Sequence, residues 1–244
     1  MLTIILILIL ILIYYYNNIN NNIYLSSNDT YNILIDKTDN FFNRFNEYDF
    51  KARNIKSIND YEKIISNCVD DFSLEQIDII NELTNEIDMI EISCYWIDNN
   101  KLRNIPWKFS LIKSNKLYEN SFPHTRLDTI IIPKNQIKLT EQFKNTLLHE
   151  KLHVYQKLYP NDFQIYLDNN NFIKLIKYND PNNKYKCRAN PDTDDWIYIK
   201  DNIIYKSKYK KNVKNISDVI YTPINDSRYE HPREKAVYDL LEKI

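Results

Sequence analysis

The sequence predicts an α+β fold: N-terminal helices, a small mixed sheet, a central helix and a later helix near the C-terminus. Three observations carry this. Residues 59–71 and 73–88 have helical spacing, residues 90–132 contain short β-rich runs, and TEQFKNTLLHEKLHVYQKLYP at 140–160 returns to a helical stripe. At 244 residues, the chain has length for one domain with an ample core and a separate N-terminal segment.

That segment, MLTIILILILILIYYY, is the most hydrophobic run of the chain. As a helix, residues 2–16 would cover about 22 Å, against ~30 Å for a bilayer's hydrocarbon core, so Tyr14, Tyr15 and Tyr16 would sit at the interface. Residues 1–16 therefore read as a signal-anchor or a signal peptide, giving a membrane-anchored or secreted protein. The asparagine-rich residues 17–32 read as a linker, and 33–244 as the folded domain.

Ser73 is a fitting N-cap for the second helix, whose inner face is Ile77, Ile80, Leu83 and Ile87. The β-rich runs are 90–97, 107–112 and 129–132, bounded by Asn, Asp and Pro. A short helix follows at 161–167. Residues 196–199 and 203–205 pair as a hairpin across Asp201-Asn202. Asp192, Asp194 and Asp195 lack the spacing of a calcium loop and read as turn caps.

The chain contains no glycine, so left-handed turns and helix ends are expected to fall to Asn and Asp, the next most tolerant residues. A formal net charge of -1, with no lysine run apart from acidic neighbours, argues against a nucleic-acid partner. Cys68, Cys94 and Cys187 have no local metal-site spacing and allow at most one disulfide.

The chemistry is concentrated in HEKLH. Thr140 caps the helix, and Phe143, Leu147, Leu148, Leu152, Tyr155 and Leu158 form its apolar stripe. His149 and His153, four residues apart, lie on one face and can both reach one tetrahedral Zn2+. Glu150 lies beside that point, where a carboxylate can take a proton from zinc-bound water and pass it to a leaving amine. The chain holds only four histidines, which makes a chance HExxH on the apolar side of a helix a poor explanation.

A third ligand must come from elsewhere, since Gln156 and Tyr159 occupy the glycine and histidine positions of the HExxHxxGxxH pattern. DSRYEHPREKAVYDLLEKI at 226–244 offers Glu234 inside a helix opened by Pro232, with Glu230 and His231 as rivals just before it. Glu234 ranks first, because a ligand on a packed helix is better fixed than one on a loop. For a donor to the developing oxyanion, His231, Tyr229, Tyr221, His124 and Arg126 are all in play.

HEKLH after a β-run, followed by a late helix opening HPREKAVY, resembles the zinc metallopeptidases of the gluzincin type, within the zincin-like fold. The N-terminal anchor and residue bias are similar to those of membrane-anchored metallopeptidases assigned to large DNA viruses, which implies a virion or host endomembrane location. The resemblance covers residues 73–244, and HEKLH is its specific part. It implies His149, His153 and Glu234 as zinc ligands, Glu150 as general base, a peptide or protein substrate, and residues 129–132 as an edge strand that pairs with it. The spacing from His153 to Glu234 is longer than in the best-known gluzincins, and Tyr238 stands one turn after Glu234 where that pattern has an acid. Two other classes compete with an enzyme: a catalytically inactive zinc-binding protein, against which an intact Glu150 argues, and a membrane-tethered structural or interaction protein with an incidental HEKLH.

Overall fold

The structure, a computed structural model, describes residues 22–244. The hydrophobic run 2–16 lies outside the described residues. Among those described, no helix is long and apolar enough to cross a membrane.

The expected linker ends sooner than residue 32. Strand β1 (Ile23–Tyr24) joins the sheet, and helix α1 (Ser27–Ile35) starts where the Ser26 hydroxyl accepts from the Asp29 N–H. Asparagine density misled here: Asn22 is itself tied down, its amide donating to Asn81 and Thr84 at 2.9 Å. Helices α2 (Glu47–Ala52), α3 (Ile58–Cys68) and α4 (Leu74–Asp88) follow, capped by Asn46, Ser57 and Ser73. Ser73 forms a capping box with Gln76, which fixes the start of α4.

Residues 90–97 are not a strand, despite their β-rich composition. The Asn99 side chain bonds both the N–H and the C=O of Ile92, doing the work of a strand partner. Trp96 turns inward against Tyr155, Phe163 and Tyr166, and the loop runs on to α5 (Asn99–Asn104).

The first sheet has the order β1-β3-β5-β4, with β2 (Val69–Asp70) also on β3 (Lys108–Ile112). β3 and β5 (Thr129–Pro133) are parallel, and β4 (His124–Arg126) runs antiparallel to β5. All of β5 is buried, for a reason that follows from the period of two. Ile130 and Ile132 enter the core beneath the central helix α6 (Glu141–Leu158), while Ile131 enters a second core with Leu34, Tyr61 and Ile65 of α1 and α3. α7 (Pro160–Asn169) follows, and the second sheet is β6 (Ile173–Lys177), β7 (Trp196–Lys200), β8 (Ile203–Tyr209) and β9 (Val219–Thr222) in that order.

The β7–β8 turn has φ of 50° and 61° at Asp201 and Asn202, as the hairpin requires. The expectation that Asn and Asp make the left-handed positions holds only in part. Lys116, Glu119, Ser121, Leu127 and Lys186 also have positive φ among the described residues. The three cysteine thiols are free.

Helix α8 (Pro232–Leu241) packs against α6, and Val237 and Leu240 share one core with Leu148 and Leu152. α6 is buried on nearly every side from Leu147 to Gln156, being enclosed by the sheet, α4, α5 and α8. Leu158 departs from the expected stripe and is exposed, at the last residue of the helix. Even Lys151, within the HEKLH motif, is 1% exposed: its ammonium bonds Asp88 at 2.7 Å over the Trp107 ring.

Candidate metal centre

Helix periodicity places His149 and His153 on one face of α6, and the packing of α8 brings Glu234 opposite them. The two Nε2 atoms are 3.0 Å apart, and each is 3.6 Å from Glu234 Oε2. A tetrahedral zinc with ligand bonds of ~2.0–2.1 Å has ligand atoms ~3.3 Å apart, so this triangle has the right size. Among the described residues it is the one cluster of three His, Cys, Asp or Glu side chains able to hold a metal.

Glu150 supplies a second test of fit. It is buried, and its Oε2 has no hydrogen-bond partner among the described residues. Such an atom costs free energy unless a water or ion faces it. Burial, then the nearby Asp192 and Glu234 carboxylates, push its pKa well above the usual carboxylate range. For Glu234, burial acts in the same upward direction, but His153 and His149 outweigh it and hold its carboxyl well below that range. His153 mirrors this: burial opposes its charge, yet Glu234 wins and raises its pKa. Two nitrogens and an anionic oxygen beside a partnerless carboxyl suit zinc better than a hard oxygen-seeking cation.

The supporting shell comes from residues the motif does not name. Gln156 Oε1 lies 3.0 Å from His153 Nδ1, and the Asn190 amide donates to Glu234 Oε1 at 3.0 Å. The signal for Gln156 was its i+3 spacing from His153 on the same helix face. Nothing local to Asn190 marks it, since it arrives from a loop before β7.

The rivals to Glu234 are engaged elsewhere. Glu230 is buried in an ion pair with Arg188 and accepts from Ser207 and Asn190. His231 is the N-cap of α8, with Nδ1 accepting from the Arg233 N–H and Nε2 3.2 Å from Asp194. Both its ring nitrogens thus have partners in this structure. The His124 ring is also committed, to Tyr118 and the Phe122 carbonyl, and Arg126 is buried against Asp39. Asp192 and Asp194 do more than cap turns, since they bond Thr125 and His231 across the fold.

A cleft of ≈ 320 Å³ opens beside His149 and Glu150, lined also by Pro123, Asn145 and Tyr238. The Tyr238 ring stands edge-on to His149 with centroids 5.2 Å apart. A hollow of ≈ 460 Å³ by Cys94 and Trp96 is larger but holds no ligand cluster.

The expected substrate edge needs correction. β5 is interior, flanked by β3 and β4, so β4 is the edge of the sheet. Its outward-facing Thr125 is occupied: the N–H donates to Asp192 at 2.7 Å, and the C=O accepts from Lys157 at 2.9 Å. Burial lowers the Lys157 pKa to about 8.

The fold order and the His149-Glu150-x-x-His153 plus Glu234 triad match an HExxH zincin-type metal-binding site. No protein-family model, no curated protein and no solved structure matches the chain.

Proposed function

We propose that this protein is a zinc-dependent metallopeptidase that hydrolyses peptide bonds, with His149, His153 and Glu234 as ligands and Glu150 as general base. One observation carries the reading: three ligand atoms 3.0–3.6 Å apart converge beside a buried carboxyl with a partnerless oxygen. A bound zinc supplies Lewis-acid polarisation of water and of the scissile carbonyl.

The chain's own residues do the rest. Glu150 takes the proton of the attacking water and returns it to the departing amine, so one group serves as base and then acid. Its raised pKa favours the second act, since a carboxyl that holds its proton after attack can deliver it. Tyr238 lines the cleft beside Glu150, its ring edge-on to His149, and forms one wall for the substrate in this reading. The substrate is a peptide or protein segment that reaches the open cleft. The hydrophobic run 2–16 supports a membrane anchor, with the catalytic domain following from about residue 22.

The test uses the full chain in detergent. Zinc analysis should give one ion per chain, lost in His149→Ala and His153→Ala. Glu150→Gln should keep the metal and lose peptide cleavage by at least about a hundredfold. Full metal content in both histidine variants would remove the centre, and undiminished turnover in Glu150→Gln would remove Glu150 from the mechanism.

A further inference from the structure

Gln156 is fully buried and both ends of its amide are used. One end is 3.1 Å from the Arg233 carbonyl oxygen, which can only accept, so the amide nitrogen must face it. The other end, now fixed as oxygen, lies 3.0 Å from His153 Nδ1. An amide oxygen cannot donate, so Nδ1 must carry the proton. A neutral imidazole protonated at Nδ1 has its lone pair on Nε2, the atom that faces His149 and Glu234.

We propose that Gln156 is a positioning residue that fixes His153 in the Nδ1–H tautomer and aims its Nε2 lone pair at the metal point. This rests on the metal-centre reading above. The Arg233 carbonyl is the origin of the choice, because it orients the amide. Arg233 directly precedes Glu234, so the same side chain ties the histidine-bearing helix α6 to the glutamate-bearing helix α8. The proton inventory is complete within these groups: Arg233 C=O accepts, Gln156 donates and accepts, and His153 Nδ1–H donates. A ring with its proton on Nε2 would turn an N–H toward the metal point and could not ligate. Gln156 touches neither substrate nor metal, and its effect passes through His153.

The experiment combines ring-nitrogen NMR with zinc titration. The full chain contains four histidines, so His153→Ala identifies the His153 ring signals. In metal-free protein above the imidazole titration range, His153 should be in the Nδ1–H tautomer. Gln156→Met, which removes both polar ends at similar volume, should mix the tautomers and weaken zinc affinity by about 10–100-fold in chelator competition. Gln156→Glu keeps an acceptor for Nδ1–H but, when ionised, loses the donor to the Arg233 carbonyl, so it should keep the Nδ1–H tautomer that Gln156→Met loses. An Nε2–H tautomer in the parent overturns the proposal. So does parental zinc affinity in a folded Gln156→Met, or loss of the Nδ1–H tautomer in a folded Gln156→Glu. If Gln156→Met does not fold, the parent tautomer and Gln156→Glu decide. If the parent binds no zinc, the metal reading falls, while the tautomer measurement still judges Gln156 by itself.

Discussion

At the scale of single residues, the site stores a cost at Glu150. A buried carboxyl with a partnerless oxygen destabilises the metal-free fold by about 1–3 kcal/mol once it is ionised. Its folded-state pKa is raised, so its favourable contribution is complete below the unfolded-state value and is lost as pH rises through the folded-state value. Glu150→Gln, which cannot ionise, should therefore match the parent in acid and exceed it at neutral pH when both are metal-free. Thermal unfolding with a chelator at pH 4 and pH 7.5 checks this, and a variant less stable than the parent at pH 7.5 would contradict it.

Glu230 and Glu234 lie four residues apart and are both buried, yet the structure gives them different work. Glu234→Ala should abolish tight zinc binding and leave the fold intact. Glu230→Ala should leave the half-buried Arg188 without its carboxylate partner and cost about 3 kcal/mol of stability. Denaturant midpoints and zinc titration of the two variants separate the roles. EHPREK shows two acids near a helix start; which one meets the histidines depends on where α6 lies.

At the scale of elements, the absence of glycine has a measurable cost. Leu127, in the turn between β4 and β5, has φ 52°. A Cβ there crowds the following carbonyl, at about 1–2 kcal/mol for an L-residue. Leu127→Gly should stabilise the protein by about 0.5–1 kcal/mol after the entropy of glycine is set against that relief. A lower urea midpoint would show that the Leu127 side chain outweighs the strain.

Elements were legible where local forces decide them. α4 and α6 start at Ser73 and Thr140 because a side-chain oxygen and a backbone N–H a few residues apart settle the matter. Residues 90–97 were illegible, since the same β-prone run can be held by a strand or by the Asn99 amide. The rank of β5 within the sheet was equally hidden. An apolar run such as TIII shows burial on both faces, but which strands flank it is a matter of topology.

For the whole molecule, the metal should be part of the fold's stability, since its expected ligands come from two helices, His153 and Glu234 lying 81 residues apart in sequence. Free zinc at about 100 times its dissociation constant adds ~2.7 kcal/mol to the folded state. Chelation should thus lower the melting temperature by about 5–10 °C, and readdition of zinc should restore it. No shift in either direction would show that zinc does not bind the native state.

The HEKLH spacing alone put His149 and His153 on one face with Glu150 beside them, because one helical turn sets that geometry without help from the rest of the chain. It also ranked Glu234 above its neighbours, from the place of Pro232 at the start of a helix. Packing in three dimensions was needed to bring Gln156 to His153 and Asn190 to Glu234, to pair Lys151 with Asp88, and to lay Asp192 and Lys157 along the sheet edge. Those assignments need groups distant in sequence to meet, and a buried polar atom acquires its partner from packing, whereas a helical spacing is fixed by the covalent backbone.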